Sequence, residues 1–252
     1  MVLAVNDTEE QSASLNDVMD LLENGDMTVR GLLPGSSNYT FLADLSSDRF
    51  KALGVYKPRQ GETPLWDFAH GTLCNRELAA YLVSQGLGWT LVPPTVLRVG
   101  PYGKGAVQFF VEADFNQHYF TFQDEETLHP LFRRITAFDL IINNGDRKAG
   151  HILRDRHDRL WAIDHGVCFH TQPKLRTVVW EFAGEPLTAD VTDGLASLRS
   201  QLDSNCELYG QLNKLLSDAE MRALVRRTEQ LLSSESFPDP DPYRRSYPWP
   251  LV

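Results

Sequence analysis

Positive charge is in short supply in this chain: 24 Lys and Arg stand against 34 Asp and Glu in 252 residues, a formal net charge of −10. That balance argues against a general nucleic-acid binder and against a surface drawn to anionic membranes by charge alone. Long apolar runs are missing too, and none nears the roughly 20 residues that a bilayer-spanning helix needs. The opening M-V-L-A-V-N-D-T-E-E has neither a basic start nor an extended apolar segment, so it does not read as a secretory signal. Cysteine is scarce: Cys74, Cys168 and Cys206 are far apart and share no metal-site spacing, so three reduced thiols in a cytoplasmic protein are expected. No repeat or low-complexity tract occurs apart from a Pro-rich end. What remains, 42% hydrophobic and 23% charged residues, suits a globular chain of one or two domains with a buried core.

Chemistry concentrates in residues 138–169, F-D-L-I-I-N-N-G-D-R-K-A-G-H-I-L-R-D-R-H-D-R-L-W-A-I-D-H-G-V-C-F. An apolar run, Phe138 and Leu140 to Ile142, ends in Asn143, Asn144 and Gly145, poor helix continuers and good loop formers. Asp146, Arg147 and Lys148 put three charges at the mouth of the loop. Two short strands are expected next, His151 to Leu153 and Leu160 to Ile163, and the second runs into Asp164-His165-Gly166. A hairpin flanked by two Asp brings two carboxylates together. With an adjacent Lys, they suit holding a divalent metal and a phosphate while aligning a hydroxyl for phosphoryl transfer. Asp-Gly neighbours are also ordinary turn chemistry, and the order of the elements is what lifts this stretch above a plain hairpin.

Along the chain, residues 1–13 are polar and expected to fray. Ser14 caps an expected helix from Leu15 to Glu23, with Leu15, Val18, Leu21 and Leu22 on one face and Gly25 ending it. Met27 to Leu33 reads as a strand, followed by a small-residue turn in which Gly35, Ser36, Ser37 and Asn38 present groups that suit a phosphate. Phe50 to Lys57 reads as a strand and Asn75 to Leu82 as a helix carrying Glu77, with Leu78, Tyr81 and Leu82 on one side. Two strands, Leu91 to Val99 and Ala106 to Val111, precede an acidic connector. Past Asp164, the cations His170, Lys174 and Arg176 either face an anionic acceptor or lie on a solvated loop. Three helices, about Ala189 to Asp203, Cys206 to Leu215 and Asp218 to Ser233, close the fold, and the Pro-rich tail is expected to lie extended on the surface, dispensable for stability.

Five blocks in order, G-S-S-N-Y-T-F, G-V-Y-K-P, the Glu77 helix, V-Q-F-F-V-E, and N-N-G-D-R with I-D-H-G, resemble the phosphatidylinositol 3-/4-kinase-like family of the kinase superfamily. The pattern is closest to the type II phosphatidylinositol 4-kinases, as a bacterial-type member. The resemblance implies an α+β, two-lobed protein-kinase-like fold with a β-rich N-lobe, a helical C-lobe and the nucleotide between them. It divides the chain into an N-terminal extension with a short helix (1–30), an N-lobe (31–113), a C-lobe (114–236) and the tail (237–252). It makes Ser36, Ser37 and Asn38 the phosphate loop, pairs Lys57 with Glu77 at the α/β-phosphates, and gives adenine the backbone of Phe110, Val111 and Glu112. Asp146 becomes the catalytic acid, Lys148 a neutraliser of the γ-phosphate, and Asp164 a metal ligand. ATP and Mg²⁺ are the implied cofactors, and the acceptor is an unidentified hydroxyl on a lipid head group, an inositol- or sugar-like molecule, or a protein.

One position departs from the pattern. Where the family has Asn five residues after the catalytic Asp, this chain has His151, a softer donor than a hard oxygen. Either His151 shifts the preference to a metal such as Mn²⁺, or a single metal serves, or the enzyme is slow. A nucleotide-binding pseudokinase and an AMP transferase on the same fold are the alternatives.

Overall fold

Alternating apolar residues and tight turns in the first part of the chain build an antiparallel sheet, and apolar periodicity after residue 128 builds helices. The computed structural model describes residues 2–6, 9–35 and 38–252. It divides into two units, Met1–Leu78 with Pro93–Val111, and Ala79–Val92 with Glu112–Val252.

The first unit holds β1 (Val2–Asn6), β2 (Glu9–Ser12), α1 (Leu15–Asn24), β3 (Asp26–Leu32), β4 (Phe41–Ser46), β5 (Lys51–Pro58), the start of α2 (Leu73–Gly86), β6 (Thr95–Gly100) and β7 (Gly103–Phe109). The strands form one antiparallel sheet in which β5 lies between β4 and β7, and β1 meets β5 at Ala4 and Lys51. Residues 2–6 and 9–12, expected to fray, instead pair as antiparallel strands. Ser14 closes a capping box with Asp17, and Gly25 ends α1. Val18, Leu21 and Leu22 of that helix pack on Leu45, Phe50, Tyr56, Val96 and Val107 of the sheet. Leu15, expected on the same face, is exposed at the start of the helix.

The strand after α2 starts at Thr95 rather than Leu91. Leu91 and Val92 donate their N–H groups to the Ser84 hydroxyl, and Pro93 and Pro94 have none to give to a ladder. Strand β7 begins earlier than expected, because Gly103, at φ +87°, closes a two-residue turn from Gly100. Gly105 has a further role. A Cβ there would lie 2.4 Å from the Lys57 carbonyl, so only glycine lets β7 approach β5 at Lys57. Helix α2 is buried around most of its circumference, with Cys74, Glu77, Ala80 and Val83 enclosed and the expected core residues Leu78 and Leu82 only half-buried.

The second unit contains α3 (Tyr119–Phe122), α4 (His129–Ile142), β8 (Ile152–Arg154), β9 (Leu160–Ala162), α5 (Ala189–Gln201), α6 (Glu207–Leu212) and α7 (Asp218–Ser234). Phe132, Ile135, Phe138 and Ile142 of α4, with Leu195, Leu198, Leu224 and Phe169, lie in its core. A capping box of Ser217 and Glu220 starts α7. Among the described residues, no helix is long and apolar enough to cross a membrane.

The tail is packed, contrary to the expectation of a loose surface strand. Phe237 is buried and exchanges backbone hydrogen bonds with Gly184 and Glu185. The Ser246 carbonyl accepts from the Thr177 N–H (3.1 Å) and the Trp180 indole N–H (3.1 Å), and the Leu251 carbonyl accepts from the Ala149 N–H (2.8 Å). Deleting 246–252 strands those three donors. At about 0.5–1.5 kcal/mol for each lost bond, the melting temperature should fall by several degrees in a thermal scan, whereas an unchanged value would restore the loose tail.

Thiol reactivity offers a second check on packing. Burial, reinforced by the nearby Glu62 carboxylate, pushes the Cys74 thiol up to about 12. Cys168 is buried, and Cys206 is partly exposed. Thiolate is the reactive form, so alkylation of native protein at about pH 8 should mark Cys206 alone, with Cys74 and Cys168 reacting only after denaturation. Peptide mapping by mass spectrometry reads the outcome.

Candidate active site

In the first unit, β5 and the start of α2 bring together two charges twenty positions apart. Lys57 Nζ lies 2.5 Å from Glu77 Oε1, with the Lys side chain 19% exposed and the Glu side chain 4%. The sequence alone would allow a solvated strand-end lysine, but its ion pair with Glu77 of α2 holds it largely out of solvent. A buried pair of this kind holds an ammonium in a fixed place while leaving its charge available to a phosphate. The helix carrying Glu77 is itself anchored by Glu62, whose carboxylate accepts from Leu73 N–H (3.1 Å) and Cys74 N–H (2.9 Å) at the open helix start. Nothing local in the sequence marks Glu62 for that task, since it lies outside the helix.

Of the expected phosphate loop, Ser36 and Ser37 lie outside the described residues. Gly35 has φ +81°, and Asn38 Oδ1 accepts from Thr63 N–H (2.7 Å), tying the turn to the chain beyond β5. The tie uses the amide oxygen, which could not bind a phosphate, and leaves the amide N–H₂ as the end suited to one. Further on, Phe110 N–H donates to the Leu53 carbonyl (3.0 Å), Val111 is buried and Glu112 exposed.

In the second unit the catalytic-loop candidates gather. Helix α4 ends at Asn143, whose left-handed φ of +53° turns the chain, and the following Gly145 N–H donates to the Val167 carbonyl (2.9 Å). A Cβ at Gly145 would press on Val167 at 3.1 Å, so the glycine keeps the two loops close. Lys148 Nζ lies 3.3 Å from Asp146 Oδ2. Burial raises the Asp146 carboxyl above the usual carboxylate range, and the Asp164 charge raises it too, against the lowering pull of Lys148 and Arg176. Thus Asp146 and Asp164 sense each other across the hairpin, as the flanking positions required.

His151 does not open a strand. It ends a single 3₁₀ turn, Ala149–His151, and β8 starts one residue later. Its Nδ1 lies 3.0 Å from the Asp146 carbonyl and 3.5 Å from the Lys148 N–H, so that nitrogen has a partner in either tautomer. Its Nε2 lies 3.4 Å from Asp164 Oδ2. An imidazole whose other nitrogen donates to a carbonyl is oriented as metal-binding histidines are. Asp164 itself sits at φ +62° with its side chain half exposed, a backbone conformation that carries a cost and gathers at functional sites. Among the described residues no group of three or more His, Cys, Asp or Glu assembles for a metal. Two protein donors fit a magnesium-type ion, which completes its shell with phosphate oxygens and water.

The residue that holds this arrangement is one the sequence showed only as a charge at the loop mouth. Arg147 is fully buried and pairs with Asp139, also fully buried, at 2.9 Å. It donates further to the carbonyls of His151 (3.2 Å) and Ile163 (2.8 Å) and to His165 Nε2 (2.7 Å), so His165 is the acceptor there. One guanidinium therefore fixes the backbone at both proposed metal donors' doorsteps. Asp139 also accepts from Asn144 Nδ2 and Thr177 Oγ1. A lone acid inside F-D-L-I-I, on a face otherwise apolar, was the available signal. On the far side, Arg147 N–H donates to the Arg176 carbonyl, and Arg176 N–H to the Asn144 carbonyl, so the segment carrying Lys174 and Arg176 is stitched to the candidate catalytic loop.

No protein-family model matches the chain. Protein Rv2133c of Mycobacterium tuberculosis (strain ATCC 25618 / H37Rv) is 37% identical over 268 residues, covering 93% of this chain and 95% of that protein. Among solved structures, the Helicobacter pylori proinflammatory kinase CtkA aligns with a TM-score of 0.53 at 12% identity, covering 85% of this chain and 94% of that one. The Golgi casein kinase with Mn and ADP bound gives 0.53 at 15%, covering 94% and 80%, and hydra Fam20 with sugar gives 0.53 at 14%, covering 87% of each. These likenesses show the fold: a mixed α+β chain with an antiparallel, sheet-rich part and a helical part, of the protein-kinase-like kind. The narrower phosphatidylinositol 3-/4-kinase resemblance rests on the sequence motifs alone.

Proposed function

The chain belongs to the family of protein Rv2133c, and we propose that it is an ATP-dependent phosphotransferase that moves the γ-phosphoryl group onto an alcohol. The observation that carries this is the gathering of Asp146, Lys148, His151 and Asp164 around one buried arginine, on a kinase-like fold. Lys57, held by Glu77, would neutralise the α/β-phosphates, and the backbone at Val111 and Glu112 would meet the adenine, since the Phe110 N–H is already taken. Asn38, with Ser36 and Ser37, would close over the phosphates. Asp146 would accept the hydrogen bond of the acceptor hydroxyl and orient it, and Lys148 would offset charge on the transferred group. His151 and Asp164 would hold a divalent cation, whose contribution when bound is to neutralise charge on the phosphate oxygens. The Golgi casein kinase neighbour was solved with Mn and ADP, in keeping with Mn²⁺ as well as Mg²⁺ at a site with an imidazole donor.

A second reading, a nucleotide-binding pseudokinase, is favoured by His151 standing where the phosphatidylinositol 3-/4-kinase-like pattern has Asn. Incubation with ATP labelled on the γ-phosphate, in parallel with α-labelled ATP, separates the readings: transfer or hydrolysis of the γ label supports the kinase, transfer of the α label an AMP transferase, and neither a pseudokinase. Lys57→Ala should weaken ATP binding by about tenfold or more, the worth of one charge-assisted hydrogen bond, and should lower the melting temperature as well, because the buried Glu77 carboxylate loses its lysine partner. Unaltered affinity in a direct titration would remove Lys57 from the nucleotide site.

A further inference from the structure

We propose that the second unit carries a binding pocket for a phosphomonoester, with the packed C-terminal tail as one wall, and that the pocket receives an acceptor alcohol already bearing a phosphate. The assignment to the acceptor rests on the phosphotransferase reading; the pocket's chemistry does not. A cavity of about 440 Å³ is lined on one side by Lys174, Arg176 and Trp180, and on the other by tail residues that include Asp241, Arg244 and Arg245. Its full lining has four cations against two acids, Asp239 and Asp241, a local excess of two positive charges on a chain whose net charge is −10. That excess matches a phosphomonoester, which carries about −1.5 to −2 near neutral pH, and the volume falls within the ~300–1,000 Å³ of small-molecule pockets.

The cations are placed in advance. Arg244 is held by Asp241 (3.2 Å) and by the Pro173 carbonyl (3.1 Å), and Arg245 Nε donates to the Tyr247 carbonyl (3.0 Å). These contacts occupy part of each five-donor fork and fix where the remainder points, which lowers the ordering cost of binding. Trp180 is held by its indole N–H on the Ser246 carbonyl, so its ring can offer an apolar face to a polyol or sugar ring. The link to chemistry is Arg176. Its backbone is bonded on both sides to the catalytic loop, at Asn144 and Arg147, and its charge is felt at the Asp146 carboxyl. An anion on Arg176 would therefore be held on a segment bonded directly to the loop that carries Asp146. The tail's packing acquires a use: without it the pocket has one wall.

The test is calorimetric titration of the full chain, without nucleotide, with myo-inositol 1-phosphate and glycerol 3-phosphate against myo-inositol and glycerol. The phosphorylated compounds should bind at least about tenfold more tightly than their parents, and Arg176→Gln and Arg245→Gln should each remove about tenfold of that preference, as loss of a charged hydrogen bond implies. Arg245 lies on the exposed tail, so its variant reads the pocket should Arg176→Gln fail to fold. Vesicles of phosphatidylcholine containing phosphatidylinositol 4-phosphate form a second arm. Binding there, sensitive to the same variants, identifies a lipid head group as the source, and binding of the soluble compounds alone identifies a free polyol phosphate. Equal affinity for charged and uncharged alcohols, or a preference untouched by both variants, overturns the proposal. A parallel ATP titration keeps the two readings apart: ATP binding without phosphomonoester binding defeats the pocket alone, and the reverse defeats the phosphotransferase reading while the pocket stands.

Discussion

Arg147→Met is expected to lower the stability of the protein by about 3–5 kcal/mol, the usual cost of removing one partner from a buried ion pair. At about 2–4 °C per kcal/mol for a chain of this size, that is a fall of roughly 6–20 °C in a thermal scan. The magnitude follows from what is left behind. Asp139 would stay fully buried as a charge with only Asn144 and Thr177 to satisfy it, and the carbonyls of His151 and Ile163 would each lose a donor. Asp139→Leu combined with Arg147→Met should recover part of the loss, because the stranded carboxylate is gone. Recovery should be incomplete, since the two carbonyls and His165 Nε2 still lack the guanidinium. A single-variant effect under about 1 kcal/mol, within the range of an exposed pair, would show that Arg147 is not the brace of the candidate catalytic loop.

What could be read from the sequence was local or motif-borne. Ser14 and Gly25 marked the ends of α1 because caps are made by residues next to the helix they close. Lys57 and Glu77 could be paired in advance only through a resemblance, yet the strand and helix that bring them together were legible from apolar patterning. The order of strands followed by helices was legible in the same way, and the two-lobed α+β fold came with the resemblance. What escaped depends on partners far along the chain. The tail reads as a Pro-rich surface strand, but Thr177, Trp180 and Ala149 present N–H donors to it from positions 66 to 102 residues away. Glu62 caps a helix from eleven residues upstream, and Ser84 takes the two N–H groups that would have extended β6. Arg147 was visible as a charge at a loop mouth, and its burial was not, because that depends on Asp139 facing inward from α4. In each case a buried polar group had to find a partner, and sequence separation said nothing about which one.

The largest functional loss is expected from Asp146→Asn. If Asp146 orients the acceptor hydroxyl, asparagine keeps its shape and removes both the negative charge and the stronger acceptor. Turnover should then drop by about 10²–10⁴, the range for a positioned acid or base. ATP affinity should change little, because the nucleotide contacts assigned to Lys57, Val111 and Glu112 do not involve Asp146. The fold should hold as well: Asp146 N–H still donates to Asn144 Oδ1 (3.0 Å) and its carbonyl still meets His151 Nδ1, contacts that belong to the backbone and survive the substitution. The carboxylate's burial, which raises its pKa, means the native residue is charged at some cost, so Asn should leave stability equal or higher. A variant that melts no lower than wild type, binds ATP as before and transfers phosphate at a hundredth of the rate or less would mark Asp146 as catalytic. Wild-type turnover with γ-labelled ATP would remove it from that role, and a loss of turnover accompanied by a matching loss of ATP affinity would move it to the nucleotide site instead.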